Sequence, residues 1–491
     1  MIEPDFDMLI VGAGLSGIGM AAHLQIKLPA ARYAILEQRE KIGGTWDLFR
    51  YPGIRSDSDM YTLGYEFEPW THEKAIADGP DIIEYLDRVV DGRGIRPHIR
   101  HRAKVIRADF NRADALWHVE VETDGQRENL TARWLHLGSG YYDYDDPYDA
   151  GFDFLQFSGR VVHPQFWPEN LDYTGKNIVV VGSGATAVTL VPAMANKAAR
   201  VTMLQRTPTW MGARPAKDAL ANFMRAILPD KTAFSLTRAK NIFLGDWFFR
   251  RARNHPNKVK RMLKKALRKA LGPDYDDATF TPPYEPWDQR LCLVPDNDLF
   301  VAMRQGKAEV VTGQIEGFLS DGVQLTDGRK LPADIIVTAT GLRIAFGGKI
   351  ALSLDGVPID VAQHFFYKSC MFSNLPNFSV AFGYLNASWT LRVDIISNYI
   401  CDVLKLMHER QTQVAAPGLS ADAEARLEVD DPIDFSSGYL QRGKHLIPKS
   451  APDMPWRLAQ HYRQDRTYMR SAPVDDGVLT FERVDTAAEM A

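Results

Sequence analysis

The 491-residue sequence contains few residues that could carry thiol or metal chemistry. Its three cysteines, Cys292, Cys370 and Cys401, are widely separated and form no C-x-x-C pair. This spacing argues against a redox-active dithiol and against a cysteine-based metal site. The twelve histidines include no H-x-H or H-E-x-x-H arrangement, so no metal site is predicted. Sparse cysteines favour a reducing compartment, and we expect a cytoplasmic protein.

The sequence also lacks a charge imbalance and a long apolar run. Lys and Arg number 58 against 62 Asp and Glu, for a net charge of -4, which gives no reason to expect a nucleic-acid partner. No run reaches the ~18 apolar residues of a membrane span. The acidic start, with Glu3, Asp5 and Asp7, is unlike the basic first region of a signal peptide. A globular protein with small-molecule partners is expected, and no protein partner is implied.

A buried strand and a glycine-rich turn lie near the start of the chain. An apolar run leads into Gly12-x-Gly14-x-x-Gly17, and a helical pattern follows. The next apolar run, Tyr33–Glu37, ends on an acid. In such a βαβ unit the glycines permit a tight turn and a close approach to a pyrophosphate, while the acid accepts hydrogen bonds from ribose hydroxyls. The pattern predicts a first dinucleotide site, suited to FAD.

A second βαβ unit lies further along the chain and differs at its end. Its strand runs into Gly182-x-Gly184-x-x-Ala187, a helix follows, and the next strand leads into Arg206 and Thr207. An acid at Arg206 would repel a 2′-phosphate, whereas a guanidinium can bind one with two parallel hydrogen bonds. The second site is therefore predicted to bind NADPH rather than NADH. The alternative is that Arg206 is a solvated surface arginine.

Two longer patterns flank these units. Residues 157–168 read FSGRVVHPQFWP and match F-x-G-x-x-x-H-x-x-x-W-P, while Gly44 to Asp57 matches G-x-W-x-x-x-x-[FY]-P-G-x-x-x-D. Both patterns resemble signatures of the type I Baeyer–Villiger monooxygenases. Residues 51–70, 286–292 and 384–390 are similar to the compact subgroup that includes the mycobacterial ethionamide-activating monooxygenase. The resemblance covers most of the chain and is weaker in a helical stretch and in the C-terminal tail.

The resemblance implies an α/β fold with two Rossmann-like dinucleotide-binding domains, for FAD and NADPH, and a helical insert. It implies a flavin C4a-peroxide that converts ketones and O2 to esters or lactones, with oxidation of sulfides and thioamides as a second activity. Arg290 resembles the family's catalytic arginine, whose permanent charge would keep the peroxide deprotonated and stabilise an oxyanion. Asp57 resembles the carboxylate that orients it. A structural salt bridge between domains is the alternative for this pair.

The two turns and the segments around them supply the candidate cofactor-binding residues. These are Gly12, Gly14, Ser16, Gly17, Glu37, Gly44, Thr45, Trp46, Asp47, Leu48, Arg55, Ser56, Asp57, Val105, Gly182, Ser183, Gly184, Ala185, Thr186, Ala187, Val188, Arg206 and Thr207.

Several positions qualify this interpretation. Larger members of the family place a lysine before the catalytic arginine to hold the 2′-phosphate, but this chain has Gln289, so NADPH preference would depend mainly on Arg206 and Thr207. Histidine side chains titrate near neutral pH, yet His163 lies in a linker and is better interpreted as a hinge than as an acid or base. The substrate pocket is expected around Tyr61, Arg290, the Asn386–Leu391 loop and a mobile part of the tail.

The predicted domains interleave along the chain. We expect an FAD-binding domain from residues 1–143 and 342–491, an NADPH-binding domain from 144–214 and 286–341, and a helical insert at 215–285. Within the insert, Lys258–Leu271 places apolar residues at helical spacing opposite seven Lys or Arg. We expect that apolar stripe to pack on the protein itself, with a weak peripheral membrane contact as the alternative.

Three other functions compete with the Baeyer–Villiger interpretation. An N- or S-oxygenating flavin monooxygenase would share much of the linker but usually has Tyr or Phe at Trp167. A disulfide-type flavin reductase would need the cysteine pair that this chain lacks. A non-catalytic NADPH-sensing flavoprotein would retain both folds without forming a product.

Overall fold

The two glycine-rich turns follow strands of two different sheets in the computed structural model of this protein, which describes residues 3–431, 433 and 435–484. The strands are β1 (Phe6–Val11), β2 (Tyr33–Glu37), β3 (Ile99–His101), β4 (Ala103–Asn111), β5 (Leu116–Thr123), β6 (Gln126–Leu137), β7 (Arg160–Val162), β8 (Asn177–Val181), β9 (Arg200–Gln205), β10 (Met211–Arg214), β11 (Cys292–Pro295), β12 (Ala308–Thr312), β13 (Ile315–Leu319), β14 (Gly322–Leu325), β15 (Lys330–Pro332), β16 (Ile335–Thr338), β17 (Ala351–Leu354), β18 (Val357–Pro358), β19 (Phe366–Tyr367), β20 (Met371–Phe372), β21 (Phe378–Val380), β22 (Val414–Pro417) and β23 (Leu479–Glu482).

The helices lie between and beyond these strands. They are α1 (Leu15–Lys27), α2 (Thr45–Leu48), α3 (Met60–Leu63), α4 (Gly79–Gly92), α5 (Ala185–Ala195), α6 (Ala219–Ile227), α7 (Asp230–Asn254), α8 (Pro256–Leu271), α9 (Asp277–Phe280), α10 (Asp298–Arg304), α11 (Trp389–Arg410), α12 (Ala421–Glu424), α13 (Gly438–Gly443) and α14 (Tyr462–Ser471). Short 3₁₀ segments lie at Arg96–His98, Pro164–Phe166, Gly272–Asp274, Phe346–Lys349, Val361–Gln363 and Lys444–Leu446.

The first sheet carries the first turn. Its order is β18-β17-β4-β5-β6-β1-β2-β3, with β21 also paired to β6. Strand β1 runs parallel to both β2 and β6, so the turn after β1 opens at the carboxyl edge of a parallel group. Ligands of doubly wound sheets bind at this edge. The antiparallel strands β4, β5 and β6 extend the sheet away from the turn.

The second sheet carries the second turn and is parallel throughout. Its order is β12-β9-β8-β16-β7, with β8 between β9 and β16. All but the first residue of β8 is buried, as expected for a central strand covered on both faces. Two Rossmann-like units, with a helical region inserted in the second, confirm the predicted fold class. We propose the domain limits given above, since strands from 160–205 and 308–338 share this sheet.

The helical region after β10 contacts both halves of the molecule. The buried face of α7 includes Arg238, which donates to the carbonyl oxygen of Gly64 at 2.6 Å and forms an ion pair with Asp394 at 2.8 Å. On α8, the residues buried are Val259, Leu263, Leu267 and Leu271.

Four of the apolar residues of α8 therefore pack on the protein itself, as expected for Lys258–Leu271. Within the described ranges, no helix is both long enough and apolar enough to cross a bilayer.

Candidate functional site

The first glycine-rich turn and the start of α5, which follows the second turn, line one cavity of about 280 Å³. Eleven of the predicted site residues line it: Gly14, Ser16, Gly44, Thr45, Trp46, Arg55, Ser56, Asp57, Ala185, Thr186 and Arg290. A neighbouring cavity of about 70 Å³ is lined by three more, Gly12, Glu37 and Val105. The folded chain thus brings together residues that lie up to 278 positions apart in sequence.

The glycines of the first turn have different physical roles. Gly12 has a φ of +96°, a conformation that strains residues with a side chain. A Cβ on Gly17 would collide with the carbonyl oxygen of Gly12, so this position permits close packing of helix against strand. Gly14 faces the large cavity, and the nearest heavy atom to a Cβ there would be Gly44 Cα at 3.6 Å. The backbone at Gly14 and Gly44 is therefore accessible to a ligand in the cavity.

Glu37 lies at the end of β2, beside the smaller cavity. Its carboxylate accepts hydrogen bonds from the backbone N–H groups of Ala13 at 2.7 Å and Arg39 at 2.8 Å. Burial raises the pKa of Glu37, although these two bonds and the charge of Arg39 oppose the shift. Each carboxylate oxygen can accept a further bond. The arrangement suits a carboxylate that receives hydroxyl hydrogen bonds from a ligand in the smaller cavity.

The second turn places the start of α5 on the large cavity. Gly184 precedes this helix, and a Cβ built there would meet nothing within 4 Å. The Ser183 hydroxyl donates to the carbonyl oxygen of Thr207 at 3.1 Å, which ties the turn to the end of β9. Arg206 is exposed, and no hydrogen bond or ion pair holds its side chain within the described residues. Its guanidinium is available to a ligand at this end of the site.

Arg290 is fixed on the cavity wall by four contacts. Its Nε lies 2.7 Å from Asp57 Oδ2, and its Nη2 donates to Asp57 Oδ1 at 3.0 Å, so the pair is bidentate. The guanidinium also donates to the carbonyl oxygen of Leu385 at 3.0 Å and to the Ser58 hydroxyl at 3.3 Å. Such two-point pairing fixes the plane of the guanidinium as well as its position.

The surroundings of Arg290 favour its charged form. Burial opposes the charge, whereas the nearby Asp57 carboxylate favours it, and the pKa of Arg290 is raised. The phenol oxygens of Tyr141 and Tyr142 lie 2.6 Å apart, and burial raises both of their pKa values well above the usual range. These phenols therefore stay neutral while Arg290 stays cationic.

An aromatic wall encloses the same cavity, and sequence reasoning missed most of it. Tyr141 stacks on Trp389 with ring centroids 5.1 Å apart, and the hydroxyl groups of Tyr144 and Thr45 are 3.0 Å apart. The sequence signal was present as G-S-G-Y-Y-D-Y directly after β6, at the carboxyl edge of the sheet. An aromatic-rich turn at that edge predicts ligand contact.

The C-terminal tail completes the wall. Phe435, Tyr439 and Leu440 line the cavity, and the backbone N–H of Ser436 donates to the carbonyl oxygen of Asp288 at 2.8 Å. Asp288 lies two residues before Arg290, so the tail is attached to the same loop that carries the arginine. The expected contribution of the tail to the pocket agrees with this arrangement.

Other predicted residues lie away from both cavities. They are Gly17, Asp47, Leu48, Gly182, Ser183, Gly184, Ala187, Val188, Arg206 and Thr207. Asp47 forms ion pairs with Arg39 at 2.6 Å and with Arg50 at 3.0 Å, while Leu48, Ala187 and Val188 are part of a buried apolar core.

Tyr61 and the Asn386 loop were both expected to line the pocket. Tyr61 does not line it, because its ring is buried with its centroid 6.1 Å from that of Phe234. In the loop, Ala387 and Trp389 are on the cavity wall, and the Asn386 side chain donates to the carbonyl oxygen of Gln460 at 2.7 Å.

The two signature segments also make structural contacts. A Cβ on Gly53 would lie 2.6 Å from that of Ala193, so the segment before Asp57 packs closely on α5. His163 Nδ1 accepts from the backbone N–H of Gln165 at 3.2 Å, and burial lowers the pKa of His163. His163 therefore favours the neutral form and lies in a local turn between β7 and β8.

Comparison with known proteins identifies relatives along the whole chain. The family model described as pyridine nucleotide-disulphide oxidoreductase matches residues 9–228. The three cysteines are buried and free, so the described chain contains no disulfide. The steroid monooxygenase whose solved structure is bound to NADP is 19% identical, with a TM-score of 0.78 over 97% of this chain and 99% of that one. This likeness shows a shared fold.

Closer relatives define the family. The FAD-containing monooxygenase EthA of Mycobacterium tuberculosis is 46% identical over 97% of this chain and 98% of its own length. The probable FAD-binding monooxygenase AlmA of Acinetobacter baylyi is 43% identical over 99% and 98%. The resemblance to a flavin monooxygenase subgroup, first seen in the sequence motifs, is confirmed by these identities. This chain belongs to the family of FAD-containing monooxygenases.

Proposed function

We propose that the protein is an FAD- and NADPH-dependent Baeyer–Villiger monooxygenase that converts ketones and O2 to esters or lactones. The observation that carries the proposal is the position of Arg290. This permanent cation is oriented by Asp57 on the wall of the cavity that is also lined by the first dinucleotide turn and by the start of α5. A flavin reductase would have no evident use for such a fixed charge beside its flavin.

The residues present fit FAD at the first turn. The accessible backbone at Gly14 and Gly44 would accept the pyrophosphate at the start of α1, where backbone N–H groups are free. Glu37 would bind the ribose hydroxyls, and Val105 would contact the adenine in the smaller cavity. Trp46 and Trp389 line the large cavity, which would hold the flavin ring.

NADPH would bind at the second turn. Gly184 and the start of α5 would hold its pyrophosphate, and the exposed Arg206 with Thr207 would hold the 2′-phosphate. Gln289 supplies no positive charge for that phosphate. The preference for NADPH over NADH would therefore depend on Arg206.

The chain's own groups would then assist oxygen transfer. Reduced FAD, when bound, supplies oxygen from O2 in a form that attacks a carbonyl. Arg290 would stabilise negative charge on the oxygen atoms of the adduct, and it cannot lose its own proton at working pH. Asp57 would hold the guanidinium plane, and the carbonyl oxygen of Leu385 would fix its other edge.

Exclusion of water is the second requirement of this chemistry, because water in the site would promote loss of the activated oxygen as hydrogen peroxide instead of its transfer to substrate. Tyr141, Trp389 and Tyr439 line the cavity, and the hydrogen bond from Ser436 to Asp288 attaches the tail to the loop that carries Arg290. Neutral phenols beside Arg290 can also donate hydrogen bonds to substrate oxygen atoms. Sulfides and thioamides are proposed as further substrates, since their soft sulfur atoms accept oxygen from the protonated form of the same oxidant.

The test is an incubation of FAD-loaded protein with NADPH, air and a panel of linear, cyclic and aryl ketones. Ester formed in proportion to NADPH consumed would support the proposal. Hydrogen peroxide alone across the ketones, with oxygenation of sulfides or amines, would favour the N- or S-oxygenating alternative. Flavin reduction without any product would favour an NADPH-sensing protein.

A further inference from the structure

Helix α6 presents an apolar stripe to solvent. Leu220, Phe223 and Ile227 are spaced three and four residues apart and are 52%, 61% and 63% exposed. An amphipathic helix on a globular protein normally buries such a stripe. Ala221 is the one buried residue of this helix.

The polar side of α6 contacts the protein instead. The Asn222 side chain donates to the carbonyl oxygen of Glu73 at 3.0 Å, and Arg225 donates to that of His72 at 2.7 Å. These contacts hold the helix with its apolar face outward. The exposure of Phe223 therefore follows from how α6 is attached, not from a missing neighbour within the fold.

Helix α7, which follows α6 and packs on it, also exposes apolar side chains. Its Leu236, Phe243, Leu244 and Trp247 are each about half exposed. Helices α6 and α7 are 9 and 25 residues long, yet they contribute seven of the fifteen large apolar side chains that are exposed in the described part of the chain. We call these seven residues the insert surface. Clusters of this kind mark interaction sites in soluble proteins.

Charge near the insert surface is sparse. Between Thr232 and Phe249 there are three charged residues. Arg238 is buried, Lys240 is paired with Asp218 at 2.6 Å, and the Asp246 side chain is 18% exposed. The centre of α7 thus lacks the charged outer face of an ordinary surface helix.

Positive charge is concentrated around this apolar centre. Residues 215–285 contain fifteen Lys or Arg and seven Asp or Glu, although the whole chain has a net charge of -4. Lys231 is the second residue of α7, and Arg250 and Arg251 lie near its end. On α8 the exposed Lys258, Arg261, Lys265 and Lys269 have helical spacing, and they form no ion pairs within the described residues.

We propose that the insert surface docks on a lipid bilayer that contains anionic headgroups. Exposed Trp, Phe and Leu flanked by Lys and Arg is the composition of helices that lie in a membrane interface. A second copy of this chain is a poorer occupant, because two inserts facing each other would bring like charges together. The docking surface is on α6 and α7, with α8 contributing its outer lysines and arginines.

The opposite face of α7 is close to Arg290. Asn241 donates to Asp59 at 2.8 Å, and Asp59 follows the two residues, Asp57 and Ser58, that bind Arg290. If the proposed ketone chemistry holds, docking would place the site beside the lipid phase and favour apolar ketones dissolved there. Docking itself does not depend on that chemistry, and its test measures binding.

The test is flotation of the full-length, FAD-loaded protein with lipid vesicles. We expect it to float with phosphatidylglycerol vesicles, to float much less with phosphatidylcholine vesicles, and to detach as salt is raised. The double variant Phe223→Ser with Trp247→Ser should bind about tenfold more weakly. The matched control is Leu155→Ser with Val357→Ser, which removes two apolar residues that are 92% and 66% exposed elsewhere and should bind like the unaltered protein.

A charge variant tests whether a loss of vesicle binding results from lost docking or from a misfolded protein. Lys265→Glu with Lys269→Glu leaves the insert surface intact and should lose binding to phosphatidylglycerol while retaining bound FAD. Equal flotation of the Phe223–Trp247 variant and its control would overturn the proposal. The proposal would also be overturned if the wild-type protein bound neither kind of vesicle but formed a dimer that the Phe223–Trp247 variant disrupts. The insert surface would then bind a second copy of the chain.

Discussion

Asp57 and Arg290 are 233 residues apart in sequence and form a two-point ion pair in the folded chain, with N–O distances of 2.7 Å and 3.0 Å. Asp57 belongs to a segment that packs on α5, and Arg290 comes just before β11, which pairs with β10. The pair therefore depends on the correct assembly of both nucleotide-binding halves. A fixed guanidinium at their junction is the central feature of the candidate site.

Replacement of Arg290 by Lys should impair oxygenation of the substrate without stopping NADPH oxidation. Lysine keeps the charge but lacks the two-point geometry, so we expect oxygenation of a ketone substrate to fall about 10²- to 10³-fold. NADPH oxidation should continue and yield hydrogen peroxide. The measurement is product formed per NADPH consumed, with peroxide determined in parallel.

Asp57→Asn provides the matched partner variant. The amide keeps the shape of Asp57 but loses its charge, so the orientation of Arg290 should weaken and product yield should fall less than in Arg290→Lys. If both variants retained full coupling, Arg290 and Asp57 would be a structural salt bridge without a role in oxygen transfer.

Gly14→Ala should remove FAD without unfolding the chain. The backbone at Gly14 is ordinary for alanine, with φ of -84° and ψ of -171°, and its Cβ would have no close neighbour in the protein. The added methyl group would occupy the space proposed for the pyrophosphate. We expect the FAD content, measured as flavin absorbance per protein, to fall about tenfold or more while the circular dichroism spectrum is retained.

Gly245→Ala is the control for this change, because it lies on α7 and its Cβ would meet nothing within 4 Å. It should keep its flavin. A normal FAD content in Gly14→Ala would contradict this prediction. The pyrophosphate would then have to bind away from Gly14.

Arg206→Ala should change the choice of nicotinamide cofactor. Loss of a charge-assisted bond to the 2′-phosphate is expected to raise KM for NADPH about 10- to 100-fold and to leave KM for NADH nearly unchanged. Steady-state oxidation of the two cofactors measures the ratio. An equal effect on both would show that Arg206 supports the fold rather than recognising the phosphate.

The sequence predicted local units better than long-range contacts. The first strand, turn and helix follow from apolar periodicity and from glycines at Gly12, Gly14 and Gly17, and each is present as expected. The Arg290–Asp57 pair came from family resemblance, since no spacing rule relates residues so far apart. The aromatic wall was missed because Tyr141, Trp389 and Tyr439 belong to separate segments that meet in the folded chain.

The interpretation of the insert shows the same limit. Periodicity in α8 indicated that one stripe would be buried, and Val259, Leu263 and Leu267 are buried. The sequence could not show that α6 faces outward, because its pattern is also that of a helix packed inward. Contacts from Asn222 and Arg225 decide the orientation.

His136 gives a prediction for the dependence of stability on pH. Burial lowers the pKa of His136 from 6.5 to about 3 in the folded chain. Its Nδ1 lies 2.8 Å from the Ser379 hydroxyl, and its Nε2 is buried without a partner among the described residues. The unfolded chain therefore binds a proton that the folded chain does not, over the range between these pKa values. Stability should fall as pH decreases from about 6.5 toward 3, by up to about 1.4 kcal/mol per pH unit from this residue.

His136→Gln should reduce that slope. Glutamine can accept a hydrogen bond from Ser379 but does not titrate, so the free energy of unfolding should depend less on pH below 6.5, whatever its value at neutral pH. Urea denaturation of the FAD-loaded protein at pH 7, 6 and 5 measures the slope, with His445→Gln, an exposed histidine, as the control. If His136 contributes as proposed, its replacement must reduce the slope, because the folded and unfolded chains would no longer differ in proton binding at this position. Identical slopes for His136→Gln and the unaltered protein would therefore show that other buried groups govern acid unfolding.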